Sequence, residues 1–392
     1  MTDNTLDFDD LRPPGAYITA EHDKWRQRVR KFVNEHIAPH IDTWEQSGSI
    51  PDAVFVAAAD ANIYGSGFPA ELGGNGGNLD IYERIIFAEE LHRLGSGIVF
   101  AELATHWIGL PPVIDLGSDT LREQVGQAVL AGKKRIAFAV TEPSGGSDVS
   151  RLKTTARKTD ELWKVNGCKT LVSGGLRADY ILTAVRTGDE GIRGISLLLI
   201  DGKSAGVRRT VVDGLSWYSG AIATIEFDDV EVPEDRLIGV ENSGFTGLTK
   251  QFNVERFSGI ASALALSRVC LSEALKFSRE RTTFGQRLID HQVIRHKLVD
   301  MIRTVRGTYS YLDHCVWRFN NGDMPVADLC MLKIQATEIL EKCAREALHI
   351  TGGSAYTGVS RLERIFRESR IFALGGGTEE ILKDLASRQL RF

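Results

Sequence analysis

Trp25, Val29, Phe32, Val33 and Ile37 recur at intervals of three and four along a polar background. That is the rhythm of a helix with one buried face. Pro39 stops this helix. Pro51 opens a second, at a position where its missing N–H costs nothing. Residues 80–94 predict a third, ended by Gly95. Near residue 135 the period changes. Residues 135–141 form a short strand-like run, and 153–158 and 162–165 alternate. Asn166-Gly167 is a hairpin turn signal. Strand-like runs continue at 180–185, 195–200, 207–212 and 223–227. No stretch of crossover-helix length separates them, which favours an antiparallel sheet or barrel over a doubly wound one. From about residue 242 the pattern is helical again, over 242–280, 287–319 and 325–350. Long helices on short loops predict an antiparallel bundle. The expectation is an α+β protein with an N-terminal α-helical domain (1–134), a central antiparallel β domain (135–240) and a C-terminal four-helix bundle (241–392).

Composition narrows the function classes. A chain of 392 residues is too long for one ordinary core. Its net charge of -5 leaves no basic face for nucleic acid. The five cysteines (168, 270, 315, 330 and 343) are scattered and form no CxxC pair, which argues against a disulfide framework or a zinc site. The N-terminus, MTDNTLDFDDL, is acidic and unlike a signal peptide. The longest apolar runs fall far short of a membrane span. These features together predict a reduced, cytoplasmic compartment.

Four segments carry candidate chemistry. Glu255 shares a helical stripe with Phe252, Gly259, Ser262 and Leu266. Burial there raises a carboxylate pKa, and a base of raised pKa over an apolar cleft can take a weakly acidic C–H proton. A structural glutamate paired with an arginine is the commoner use of such a residue. The run 141–148, TEPSGGSD, follows a strand, and its two glycines let the backbone approach a flat ligand. An ordinary strand-to-loop turn fits it too. Gly375-Gly376-Gly377-Thr378 feeds a helix and offers N–H donors to an anion or carbonyl, or is a plain cap by Thr378. Thr351-Gly352-Gly353 is a weaker case of the same kind. Arg281 breaks two long helices and is able to hold a phosphate, or simply faces solvent. Gly65 to Ala70 fits GxGxxA on paper, but it follows a helix and carries Pro69, so a Rossmann site is rejected. The chain has no Walker A, HExxH or GxSxG motif, and its histidines are not at metal-ligand spacing.

Taken in order, FAVTEPSGGSD (138–148), NGCKTLVSGG (166–175), RTTFGQRLIDHQ (281–292) and GGGTEEI (375–381) closely resemble the acyl-CoA dehydrogenase family of flavoproteins. FPAELGGNGG (68–77) and FDDVEVPEDRLIG (227–239) fit as well, so the resemblance covers essentially the whole chain. It implies a helical domain, a β domain and a four-helix bundle, usually assembled as a homotetramer. It also implies FAD between the β domain and the bundle, an acyl-CoA substrate, and an electron-transferring flavoprotein as acceptor. Carried over residue by residue, Phe138 to Thr141 (Val140 among them) and Ser147 line the flavin, with Ser147 also near the substrate. Leu171, Val172 and Ser173 match the segment beside the flavin ring. Arg281, Thr283, Phe284, His291 and Gln292 match a segment that binds the FAD of a neighbouring subunit. His349 to Gly353, with Gly352, and Thr378 to Glu380 match the remaining FAD contacts. Asn253 to Arg256, Gly376 and Gly377 match substrate contacts.

Three departures follow from the same resemblance. Most members carry the catalytic glutamate where this chain has Gly376; a minority carry it at the position of Glu255. That minority resembles the isovaleryl-CoA and long-chain dehydrogenases and some terpenoid acyl-CoA dehydrogenases, in fatty acid or branched-chain acyl-CoA metabolism. The aromatic residue usual beside the flavin is Leu171 here, and Trp217 to Ile222 lacks the usual polar pattern. The implied reaction is removal of the α-proton by Glu255 and transfer of the β-hydrogen as hydride to FAD, giving the trans-2-enoyl-CoA. The thioester oxygen is held by a ribityl hydroxyl and by the N–H at Gly376, which a glycine retains and which also leaves room for a bulky acyl chain. Three rivals share the scaffold: a flavin monooxygenase or oxidase, a desulfinating lyase, and a non-catalytic flavoprotein. Presence of Glu255 argues against the first two.

Overall fold

The computed structural model describes residues 6–15, 17–77, 79–215, 222–357 and 360–392. Packing divides the chain into two compact units: a sheet unit, residues 34–79 and 98–255, and a bundle unit, residues 1–33, 80–97 and 256–392. Helices come first, then strands, then helices, in the predicted order.

In the sheet unit eight strands form one sheet: β1 Ile136–Ala139, β2 Thr155–Thr159, β3 Leu162–Ser173, β4 Tyr180–Arg186, β5 Ile195–Asp201, β6 Val207–Val211, β7 Ile222–Pro233 and β8 Leu237–Ile238. Their order is β6-β7-β3-β2-β4-β5-β8, with β1 on β4. The pairing is mainly antiparallel, as expected, but β1 and β2 each run parallel to β4, so the sheet is mixed. The long connection from β1 to β4 contains the β2–β3 hairpin, which gives the chain length to return in the same direction. Trp163, Val165, Ile181, Ile200, Ile225 and Phe227 belong to its buried core. Gly109, in the helix His106–Leu116, lets that helix approach β1: a Cβ there would lie 3.0 Å from Ile136.

Asn166-Gly167 is not a turn. Both residues lie within β3, and the hairpin turns at Asp160-Glu161, where Thr159 pairs with Leu162. Gly167 instead sits at a register shift between β3 and β7, with φ 148°. A Cβ there would come within 2.6 Å of the Thr154 backbone, so the glycine permits a bulge. Of the segment 217–222, residues 217–221 lie outside the described residues, and Ile222 begins β7.

In the bundle unit, helix Val326–Thr351 is central and packs on the helices Gln292–Asn320, Arg361–Leu374 and Glu379–Leu390. Before Gln292 the chain forms a two-stranded hairpin, so this helix starts later than the periodicity predicts. Helix Ile81–His92 is buried nearly all round, polar residues included. The Glu89 carboxylate takes Arg12 Nε at 2.9 Å and Arg26 Nη1 at 2.8 Å. Burial alone would raise that carboxyl; Arg12, Arg26 and Arg268 outweigh it and hold it well below the ordinary carboxylate range.

Candidate active site

In the sheet unit, β1 delivers the chain to the loop 141–154. Ala137 and Ala139 are buried, while Phe138 and Val140 are half-buried, with the Phe138 ring 6.4 Å from that of Phe252. Lys169, wholly buried on β3, donates from Nζ to the Val140 carbonyl at 3.0 Å and to Glu142 Oε1 at 2.8 Å. Glu142 also accepts from the N–H groups of Lys153 and Thr154 at 2.6 and 2.8 Å. Thr170 N–H donates to the Thr141 carbonyl at 2.9 Å. The loop base is therefore fixed from four directions. Its tip, 143–148, is exposed, and among the described residues the N–H groups of Gly146 and Ser147 carry no hydrogen bond. Sequence reading assigned no role to Glu142 or Lys169; the available signal was a lysine in the middle of a strand.

Leu171 stands at a second irregularity of β3, where the pairing to β7 shifts between Lys169 and Val172. Its φ of 55° is uncommon for a leucine, and it is 52% exposed, while Val172 is buried and Ser173 half-buried. The bulge thus turns one apolar side chain outward.

Glu255 lies on the long helix Gly244–Glu280, with Asn253 and Glu255 half-buried and Arg256 buried. On its stripe, Phe252 and Gly259 are half-buried, and Ser262 and Leu266 are buried. The predicted mixture of apolar and small neighbours is present.

In the bundle unit, Thr282–Thr283 pairs with Gln286–Arg287, and the turn residues Phe284 and Gly285 have φ of 51° and 80°. Two positive φ values in a two-residue turn suit Asn-Gly; a phenylalanine there is disfavoured, yet Phe284 is 99% exposed. His291 closes the hairpin. The Gln286 amide lies within hydrogen-bond distance of its Nδ1, at 3.1 Å, and its Nε2 lies 3.3 Å from Thr283 Oγ1. Gln286 was not foreseen. Arg281 and Gln292 are exposed, and Arg281 has no ion pair among the described residues. His349 is exposed in the last turn of helix Val326–Thr351, followed by Gly352 (φ 59°) and Gly353.

Gly376 and Gly377 have φ of 70° and 109°. Thr378 caps the helix Glu379–Leu390, accepting from Ile381 N–H at 3.5 Å, and Glu380 is exposed in its first turn. Among the described residues the N–H groups of Gly376 and Gly377 carry no hydrogen bond. Lys333, buried on the central helix, donates from Nζ to the carbonyls of Ala373 (3.1 Å) and Gly377 (2.8 Å).

A flavin dinucleotide needs apolar surface for its ring, N–H donors for its carbonyl edge and a cation for its pyrophosphate. Leu171 and Phe284, the N–H groups of Gly146 and Ser147, and Arg281 are groups of those types. No cluster of metal-ligating side chains occurs among the described residues.

Matches to known proteins run over most of the chain. Models of the acyl-CoA dehydrogenase N-terminal, middle and C-terminal domains match residues 19–133, 137–230 and 242–391. The acyl-CoA dehydrogenase AFT10-1 of Alternaria alternata is 33% identical, over 96% of this chain and 92% of its own. The caffeyl-CoA reductase-Etf complex subunit CarC of Acetobacterium woodii is 29% identical, over 95% and 99%. A crystal structure of a putative acyl-CoA dehydrogenase from Mycobacterium smegmatis superimposes with a TM-score of 0.93 at 37% identity, covering 96% of this chain and 99% of that one.

Proposed function

We propose, for a chain that belongs to the acyl-CoA dehydrogenase family, that Glu255 is the base and that the glycine turn 375–377 receives the thioester carbonyl. The protein is an FAD-dependent oxidoreductase that dehydrogenates an acyl-CoA thioester across its α and β carbons. FAD, when bound, supplies the hydride acceptor. A Glu255 carboxylate oxygen takes the α-proton, and the electron pair of that C–H bond becomes the new double bond as the β-hydrogen departs with its own pair. Negative charge gathers meanwhile on the thioester oxygen, where the Gly376 N–H donates; such a donor is worth about 3 kcal/mol. The observation that carries this reading is Glu255 itself, a half-buried carboxylate on the stripe of Phe252, Gly259, Ser262 and Leu266.

Phe138, Val140, Thr141, Ser147, Leu171, Val172 and Ser173 hold FAD from the sheet unit. In the bundle unit Arg281, Thr283, Phe284, His291 and Gln292 bind the FAD of a neighbouring subunit, and His349, Gly352, Gly353, Thr378 and Glu380 are the remaining FAD contacts. Asn253, Arg256, Gly376, Gly377 and Ser147 meet the substrate. The exposed Phe284, and Arg281 with no ion pair among the described residues, favour a neighbouring subunit over the same chain as the FAD partner of this hairpin, in keeping with the homotetramer usual in the family. The three matched models support domains at 1–134, 135–240 and 241–392. An electron-transferring flavoprotein is the acceptor we favour, in keeping with the Etf complex named for the relative CarC. No described helix is long and apolar enough to cross a membrane, and the five cysteines are unbridged, which favours the cytoplasm.

Anaerobic titration with isovaleryl-, octanoyl-, palmitoyl- and citronellyl-CoA tests the reading. One thioester is expected to bleach the flavin rapidly and so fix the substrate class. A yellow protein that none of them bleaches overturns the proposal.

A further inference from the structure

Lys333 occupies an unusual position. Its side chain is buried, with residue exposure of 4%, and its ammonium joins two different elements. Ala373 lies in the last turn of helix Arg361–Leu374, where carbonyls lack helical partners. Gly377 is the residue immediately before the Thr378 cap of the next helix. A single Nζ bonded to both carbonyls, at 3.1 and 2.8 Å, therefore spans the glycine turn from one side to the other.

The turn has little of its own to hold it. Gly375 N–H bonds Ile371 O at 2.8 Å, and Thr378 Oγ1 caps the following helix, but three consecutive glycines bring no side chain to pack. Each glycine ordered there loses more conformational freedom than any other residue. A donor aimed at a developing oxyanion acts only if it is already in place. Burying an ammonium is costly unless hydrogen bonds replace its water, so a purely structural clamp would be met more simply by a neutral donor. The negative end of helix Arg361–Leu374 offsets part of that cost.

From these contacts we infer that Lys333 is a positioning residue for the carbonyl-binding turn: by holding Ala373 O and Gly377 O it fixes the direction of the Gly376 N–H. This rests on the assignment of that N–H to the thioester oxygen. Lys333 touches neither substrate nor cofactor in this role, and its effect passes through backbone.

Two CoA ligands separate positioning from general support. One is the trans-2-enoyl-CoA of the acyl chain that bleaches the wild-type flavin fastest; the other is the allyl thioether of CoA with the same carbon skeleton and no carbonyl oxygen. Neither reduces the oxidised FAD enzyme, so both are titrated by calorimetry. The wild type is expected to prefer the thioester. Lys333→Met is expected to lose about tenfold or more of that preference, through weaker thioester binding with thioether binding unchanged. Lys333→Gln, which keeps one donor, is expected to fall between, and it carries the test alone if the methionine variant does not fold. Equal weakening of both ligands, or full retention of the preference, overturns the role of Lys333. A wild type that does not discriminate overturns the carbonyl site itself, and with it the inference.

Discussion

Lys169 and Glu142 form a buried ion pair, Nζ to Oε1 2.8 Å, at the base of the loop 141–154. Burial alone would raise the Glu142 carboxyl, but the charge and hydrogen bond of Lys169, with the Lys153 N–H, hold it down at about 2. Burial draws the Lys169 ammonium down to about 8, so the pair is ionised at neutral pH. A carboxyl depressed from 4.5 stabilises the fold fully above that value, and its contribution fades as pH falls from 4.5 toward 2. Thermal unfolding against pH is expected to show wild type losing up to about 3 kcal/mol more than Glu142→Gln across that window. Glu142→Gln, already destabilised at pH 7 by a lone buried ammonium, is expected to show a flatter acid limb. Parallel acid limbs would remove the pair from the account.

Glu255→Gln keeps the size of the side chain and removes the base. Flavin reduction by the best thioester is expected to slow by about 10²–10⁴-fold, the usual contribution of a positioned base. FAD content and thermal stability are expected to stay near wild type. Stopped-flow absorbance reads the rate, and an unchanged rate in a yellow protein would refute the assignment.

The two inner glycines of the turn are not equivalent. Gly376, at φ 70°, lies in the left-handed region that other residues enter at a cost of about 1–2 kcal/mol. Gly377, at φ 109°, lies outside it, and a Cβ there would meet Leu382 Cδ2 at 3.1 Å. Gly377→Ala is therefore expected to lose more stability and more activity than Gly376→Ala. Chemical denaturation and steady-state rates check the ranking, and the reverse order contradicts the backbone argument.

Phe284 has 99% of its surface exposed and sits at φ 51°. Phe284→Gly removes almost no packing and relieves the backbone, so the melting temperature of the cofactor-free chain is expected to hold or rise slightly. Retention of FAD on gel filtration is expected to fall. Unaltered retention counts against a role for this hairpin in holding cofactor.

The three-part order of the fold was legible because period 3.6 and period 2 leave different marks. The half-burial of Glu255 was legible for a related reason, as a carboxylate interrupting an apolar stripe. Asn166-Gly167 misled because a glycine that permits a bulge and one that permits a turn look alike without a partner strand. Lys169 and Lys333 escaped because their partners are far along the chain or are backbone carbonyls; Gln286 escaped because it meets the His291 ring only once the chain folds back through a hairpin whose turn residue, Phe284, gives no turn signal. A buried lysine bonded to a carbonyl leaves no side-chain pattern to read. The network around Glu89 was missed likewise, since its arginines come from the distant positions 12, 26 and 268.

On the proposed reading the turn 375–377 keeps its chemistry in the main chain, where, proline apart, no encoded side chain deletes it. An alanine scan of this protein would pass over its carbonyl donor and report only altered shape. Replacing the amide at Gly376 by an ester, which has no N–H, is the substitution that addresses the donor itself. For the same reason, natural variants that lose this function will map to residues that shape the peptide, such as Lys333 and the two glycines.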